Sequence, residues 1–151
     1  NRGDIQAALD TYRKTIVLAH AAEFPVMEST SCVHLARALA SVGGAVPVDD
    51  YITCLTITYR NRRGHLSTLV ALGQHLADQH DDETAAVLLG FVRSRADAPI
   101  YALDTNIAKL RARTDVTQHL QHGAALNASQ AVAYAIGHLA EQKPSKLQTE
   151  Q

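Results

Sequence analysis

The sequence predicts an all-α fold, about eight helices long, packed as antiparallel hairpins. Three observations carry this reading. From Leu66 to Val92 the apolar residues recur with a 3.6-residue period, first as Leu66, Leu69, Val70, Gly73, Leu76 and Ala77, then as Ala85, Leu88, Leu89 and Val92. Between the two stripes lies His80-Asp81-Asp82-Glu83, too polar for a core and suited to start a helix, because carboxylates there meet orphan N–H groups and the positive end of the dipole. The same register returns upstream.

Each element follows from local chemistry. Asp4 is read as the cap of a first helix with Ile5, Ala8, Leu9, Tyr12, Ile16 and Ala19 on one stripe. Pro25 breaks the chain and allows a new helix, from about Val26 to Val42, which Gly43-Gly44 ends. Pro47 suits the first turn of the next, with Asp49 and Asp50 beside it. The run Tyr51 to Tyr59 is rich in β-branched residues and favours a strand by propensity. Yet Val48, Tyr51, Ile52, Leu55 and Tyr59 form a helical stripe, and no other segment offers a strand partner, so a helix is expected. Arg60 to Gly64 is a basic turn whose cations suit that helix's negative end.

Gly73 in mid-helix costs about 1 kcal/mol against Ala, which implies a close helix approach. Asp97-Ala98-Pro99 is read as the start of a helix with Ile100, Leu103, Ile107 and Leu110, closed by Lys109, Arg111 and Arg113. A short turn with Val116 and Leu120 follows. Asn127 and Gln130 then have capping-box spacing before a last helix with Ala128, Ala131, Val132, Ala135, Ile136 and Leu139, able to fold back as a cap. One domain over 1–142 results, with a polar, disordered tail over 143–151.

The hairpin resembles a tetratricopeptide repeat in Leu72-Gly73, Ala85 and Leu89. Leu35-Ala36, Gly43, Val48 and Ile52 repeat the register, and Gly3-Asp4, Ala8 and Tyr12 match its second half. The intervals from Gly3 to Gly43 and from Gly43 to His80 exceed the roughly 34 residues of the standard repeat, so the repeats are irregular. The resemblance implies a right-handed superhelix of antiparallel hairpins, and a stack this short implies a piece of a longer protein. A second resemblance lies in Ala85-Ala86-Val87-Leu88-Leu89-Gly90 and in the run from Gly123 to Ala135. Together they look like the helical-repeat C-terminal region of actinobacterial LuxR-type or adenylate-cyclase-linked NTPase transcriptional regulators. No GxxxxGK[ST] motif and no basic recognition helix occurs here.

Charge is balanced, with 14 basic and 15 acidic residues, which gives no footprint for nucleic acid or an anionic membrane. No apolar run approaches the roughly 18 residues of a membrane span. Cys32 and Cys54 are expected as free, buried thiols of a cytoplasmic protein. Of eight histidines, His119 and His122 share a helical spacing, but without a third ligand nearby they read as exposed or rim residues, and no metal or other cofactor is expected. Asp78 to Glu83 lacks the spacing of a calcium loop. No serine has a nucleophile elbow, so no catalytic set is expected.

What remains is a surface. The resemblance places the first helix of each hairpin on the concave side, where Thr30, Val33, Arg37, Ala40 and Ser41, then Ser67, Val70, Gln74, Ala77 and Asp78, would face the groove. The expected function is a non-enzymatic domain mediating protein–protein or regulatory contacts inside a bacterial transcriptional regulator. The alternative is a domain that senses a small effector in that groove. The stripe Ile5, Leu9, Tyr12 and Ile16 lacks an upstream partner and is expected to support a homodimer through the N-terminal helix.

Overall fold

Eight helices and no strand make up the described residues, 1–97 and 99–143, of the computed structural model. They are α1 (Arg2–Ala21), α2 (Pro25–Val42), α3 (Val48–Arg60), α4 (His65–Asp78), α5 (Asp82–Arg95), α6 (Leu103–Arg113), α7 (Thr117–Ala125) and α8 (Ala128–Glu141). The all-α reading holds. The expected tail, apart from Lys143, lies outside the described residues.

Several boundaries are set as the sequence indicates. Pro25 opens α2, where a missing N–H costs nothing, and Gly43 closes it at φ 73°. Asn127 and Gln130 form a reciprocal capping box on α8, at 2.8 and 2.9 Å. The strand-prone run is helical. Thr56 and Thr58 donate their hydroxyls to the carbonyls of Ile52 and Cys54, at 2.7 and 2.6 Å, so these β-branched residues bond within the helix. Tyr51, Cys54, Leu55 and Thr58 are fully buried, and tertiary burial overrides local propensity.

Other boundaries move. Asn1, not Asp4, caps α1, accepting from the Gly3 N–H at 3.2 Å. Pro99 does not open a helix: α6 starts at Leu103, behind Ala102 in the left-handed region at φ 66°. Ala98 lies outside the described residues. The expected turn around Val116 and Leu120 is instead the helix α7. Asp81 stands at the start of α5, but its carboxylate meets His138 of α8 at 2.6 Å and makes no cap bond.

α5 is the centre of the packing. It touches α4, α6, α7 and α8, and every residue from Thr84 to Val92 is buried. Such all-round burial is what a helix apolar on every side requires. Its tightest neighbour is α7. A Cβ on Gly123 would sit 1.9 Å from the Val87 carbonyl oxygen, and one on Gly90 would sit 2.3 Å from that of Leu120. The two backbones meet through paired glycines. Gly73 is also buried, facing Leu89 as its mid-helix position implies, but there an added Cβ would meet a side chain, Leu89 Cδ2 at 2.9 Å. α8 does fold back, onto α3 and α5.

The N-terminal stripe is not left bare. α2 packs along α1, and Leu9 and Ile16 are buried in the core. Of that stripe Ile5 and Ala8 are exposed, with Tyr12 half-buried. Most of the exposed large apolar side chains lie instead near the tip of the α1–α2 hairpin, at Val17, Leu18, Phe24, Val26 and Met27.

Two buried polar links fix the first half. Glu28, 3 % exposed, accepts from Asn61 Nδ2 at 2.8 Å and Arg60 at 2.9 Å and meets His20 at 2.7 Å, joining α1, α2 and the end of α3. Burial alone would raise its pKa, but the bonds from Asn61, His20 and Arg60 outweigh that and hold the carboxyl below its ordinary value. His75, expected at the surface, is fully buried. Its Nε2–H donates to the Gly44 carbonyl at 2.8 Å, which leaves Nδ1 to accept from the Tyr51 hydroxyl at 2.9 Å. This imidazole ties the α2–α3 loop to α4. Cys32 and Cys54 are free and buried, as expected.

Two outcomes follow from this packing. Gly123→Ala drives a Cβ into backbone that cannot rotate away, so it should lower the melting temperature by roughly 5–10 °C, whereas Gly73→Ala meets a movable leucine tip and should stay within roughly 2 °C of the parent. Gly73→Leu overfills that contact and should cost about 1–3 kcal/mol. Thermal denaturation followed by circular dichroism separates the three; an unchanged Gly123→Ala would mean that the α5–α7 contact is loose. The second outcome concerns acid. A carboxyl with a lowered folded-state pKa adds stability that is present above the unfolded-state value, here 4.5, and is lost as pH falls through the folded one. Denaturant titrations should therefore show Glu28→Gln less stable than the parent at neutral pH, with the gap closing below pH 4.5. A gap constant with pH would contradict the ion cluster.

Candidate ligand-binding cleft

A cleft of about 680 Å³ opens between α2, α4 and α6. Each helix presents one face to it at the same helical spacing. α2 contributes His34, Arg37, Ala38 and Ser41; α4 contributes Ser67, Val70, Ala71 and Gln74. α6, with its cap residue, contributes Ala102, Thr105, Asn106 and Lys109. Residues at i, i+3, i+4 and i+7 share a helix face, so three parallel stripes form the walls. Tyr12 of α1 and the loop residues Ile100 and Tyr101 complete the lining.

The volume lies in the range of small-molecule sites, roughly 300–1,000 Å³. Aromatic groups stand at two places. Tyr12 and His34 are stacked with ring centroids 5.8 Å apart, and the Arg37 guanidinium lies 4.6 Å from the centroid of the exposed Tyr101 ring. That cation–π contact ties α2 to the loop before α6 across the cleft. Ser41 donates to the Arg37 carbonyl at 3.0 Å, which leaves its oxygen lone pairs available.

The electrostatics are one-sided. Arg37 and Lys109 are fixed cations, neither forms an ion pair with another described residue, and no carboxylate lines the cleft. The floor holds a further anomaly. Asn106 is 4 % exposed, and its Nδ2 has no hydrogen-bond partner among the described residues. Leaving a buried donor unmet costs about 1–3 kcal/mol. The position is telling, because Asn106 falls in the apolar stripe of α6 beside Leu103, Ile107 and Leu110, where a hydrophobic residue would pack without cost.

No protein-family model matches the chain, and no curated protein or solved structure matches it either. The cleft must be judged on its own residues.

Five of the residues read from the sequence as groove-facing line the cleft: Arg37, Ser41, Ser67, Val70 and Gln74. Three do not. Thr30 is exposed two turns before Arg37, outside the cleft. Val33 packs against the α3–α4 turn, where a Cβ on Gly64 would meet its Cγ2 at 2.6 Å. Asp78 is exposed at the end of α4, one turn beyond Gln74. Of the further pair named beside them, Ala40 and Ala77 are buried in the core. The third wall was missed altogether, since α6 was read only as an apolar stripe with a cationic end. A signal for it exists: a lone Asn within that stripe.

His119 and His122 do not come together on a shared ion. His119 faces Glu83 at 3.8 Å, and His122 lies edge-on to Tyr134. Among the described residues no group of three or more metal-ligating side chains gathers.

Replacing the unmet donor by a similar apolar volume tests the cost directly. Asn106→Leu should raise stability by about 1–3 kcal/mol in chemical denaturation. A lower stability would show that the carboxamide already has a partner.

Proposed function

We propose that this chain is a non-catalytic helical-repeat domain that binds a small effector in the cleft between α2, α4 and α6. The observation that carries the reading is a cleft of small-molecule size with Asn106 in its lining, a residue whose covered Nδ2 has no partner among the described residues. A protein keeps such a group at a cost to stability when a ligand supplies the missing partner. The resemblance to the repeat regions of actinobacterial regulators supports a cytoplasmic sensor that reports effector occupancy to other parts of a transcriptional regulator. The Arg37–Tyr101 contact supports the same reading, since it lets one bound molecule touch both walls at once.

A second reading, contact with another protein, draws on the hairpin tip. Val17 and Leu18 are about two-thirds exposed, at 67 and 68 %, and Phe24 beside them is 64 % exposed. Contiguous apolar side chains of this size on a surface mark contact sites. Self-association through the N-terminal helix thus rests on Leu18 rather than Leu9.

A thermal-shift screen of small metabolites tests the effector reading. A ligand at 100 times its Kd stabilises by about 2.7 kcal/mol, roughly 5–10 °C for a domain of this size. Asn106→Leu should abolish the shift. A shift that survives in this variant would place the ligand elsewhere. For the second reading, light scattering over a dilution series should show a dimer that Leu18→Lys dissociates; a monomer at every concentration would sink it.

A further inference from the structure

We infer that the effector is a small organic anion, a flat ring bearing a carboxylate or a phosphate. This rests on the cleft reading above and names the ligand class for that same site. The chain as a whole carries a formal charge of −1, yet the cleft walls hold two fixed cations and no carboxylate. Arg37 projects from α2 and Lys109 from α6, so positive charge is offered from both sides. Neither is neutralised by a described acidic side chain. An anion between them gains from both, and the walls focus that field.

Asn106 adds a second requirement. It lines the cleft, and its covered Nδ2–H has no partner among the described residues, so a turn of the carboxamide would offer this donor to an acceptor atom; carboxylate and phosphate oxygens are the strongest acceptors a small ligand carries. The aromatic groups add a third. Tyr12 and His34, a stacked pair, and Tyr101, with Arg37 over its ring, line the cleft. Flat ligand rings pack on such faces with a gain beyond area alone. An acidic peptide would also meet the cations. The volume, however, is that of a small molecule.

The test is a titration of the isotopically labelled chain, read at the side-chain NH₂ resonances of Asn106 and at the backbone amides of α2, α4 and α6. The probes are phenyl phosphate and benzoate, with inorganic phosphate, benzyl alcohol, benzylamine and a tetraglutamate peptide as comparators. Phenyl phosphate and benzoate should move the Asn106 NH₂ signals saturably and bind at least about tenfold more tightly than benzyl alcohol. Benzylamine should not bind. Lys109→Gln, a change at an exposed side chain, should weaken phenyl phosphate about tenfold and leave benzyl alcohol unchanged. Equal affinity for benzyl alcohol and phenyl phosphate would overturn the anion while leaving the cleft a binding site. Inorganic phosphate binding as tightly as phenyl phosphate would overturn the ring. Tetraglutamate alone shifting the cleft would overturn the small molecule in favour of a peptide. If no probe moves a cleft resonance, the anion inference falls; if the metabolite screen also yields no ligand lost in Asn106→Leu, the effector reading falls with it.

Discussion

The backbone approach of α5 and α7, with Gly90 against Leu120 and Gly123 against Val87, is the constraint on which the fold depends. Without a Cβ on either glycine, α5 and α7 approach until backbone meets backbone. That closeness covers the side of α5 that α4 leaves open, and it is why a helix with Ala85 to Val92 wholly apolar, apart from Gly90, can be buried on every side. An eight-residue run of this kind would otherwise expose a face too apolar for a monomer's surface. Once α5 is enclosed, α4 is held against it, α8 closes over α3 and α5, and α6 is fixed by Leu103, Ile107 and Leu110 in the same core. The end of α6 is pinned as well: Arg113 donates to the Ala77 carbonyl and to Asp82, across the α4–α5 turn.

The cleft is a consequence of that arrangement. α6 packs against both α5 and α4, and the faces of α2, α4 and α6 line an open space. The buried polar groups differ in how they are met, and His65 Nδ1, outside the cleft, is without a partner among the described residues as Asn106 Nδ2 is. Glu28 and His75 are buried but fully partnered, and they join elements. Asn106 is buried, carries an unmet donor, and lies in the cleft. Asn106 is set apart by combining an unmet atom with a place in the cleft lining.

Helical periodicity made most of the fold legible, including α3, where a stripe outweighed strand propensity. It also revealed the close approach at Gly73. Periodicity failed where a segment is apolar all round. In α5 it marked four residues of one stripe and gave no sign of a second covering helix, so Gly90 and Gly123 went unread and α7 was taken for a turn. The stripes of α2 and α4 gave five cleft residues, with an error of one position at Val33 in place of His34, because adjacent residues lie 100° apart and both suit a half-buried face. The third wall depends on where α6 begins. Pro99 suggested an early start, whereas the chain first passes through a left-handed Ala102 that aims Asn106 and Lys109 at α2 and α4. Nothing in local chemistry announces that turn. The covered N-terminal stripe was misjudged for a related reason: α1 was assigned a missing neighbour, while α2 itself supplies the cover.

The most direct test of a fold built on α5 is native-state hydrogen exchange of the free chain. Amides from Ala85 to Val92 should be among the slowest to exchange, opening only with global unfolding, while amides of α6 facing the cleft should exchange through smaller openings. If α5 exchanges well before the α1–α2 hairpin, the glycine contact is not what holds the structure, and the account of how the cleft is positioned is wrong.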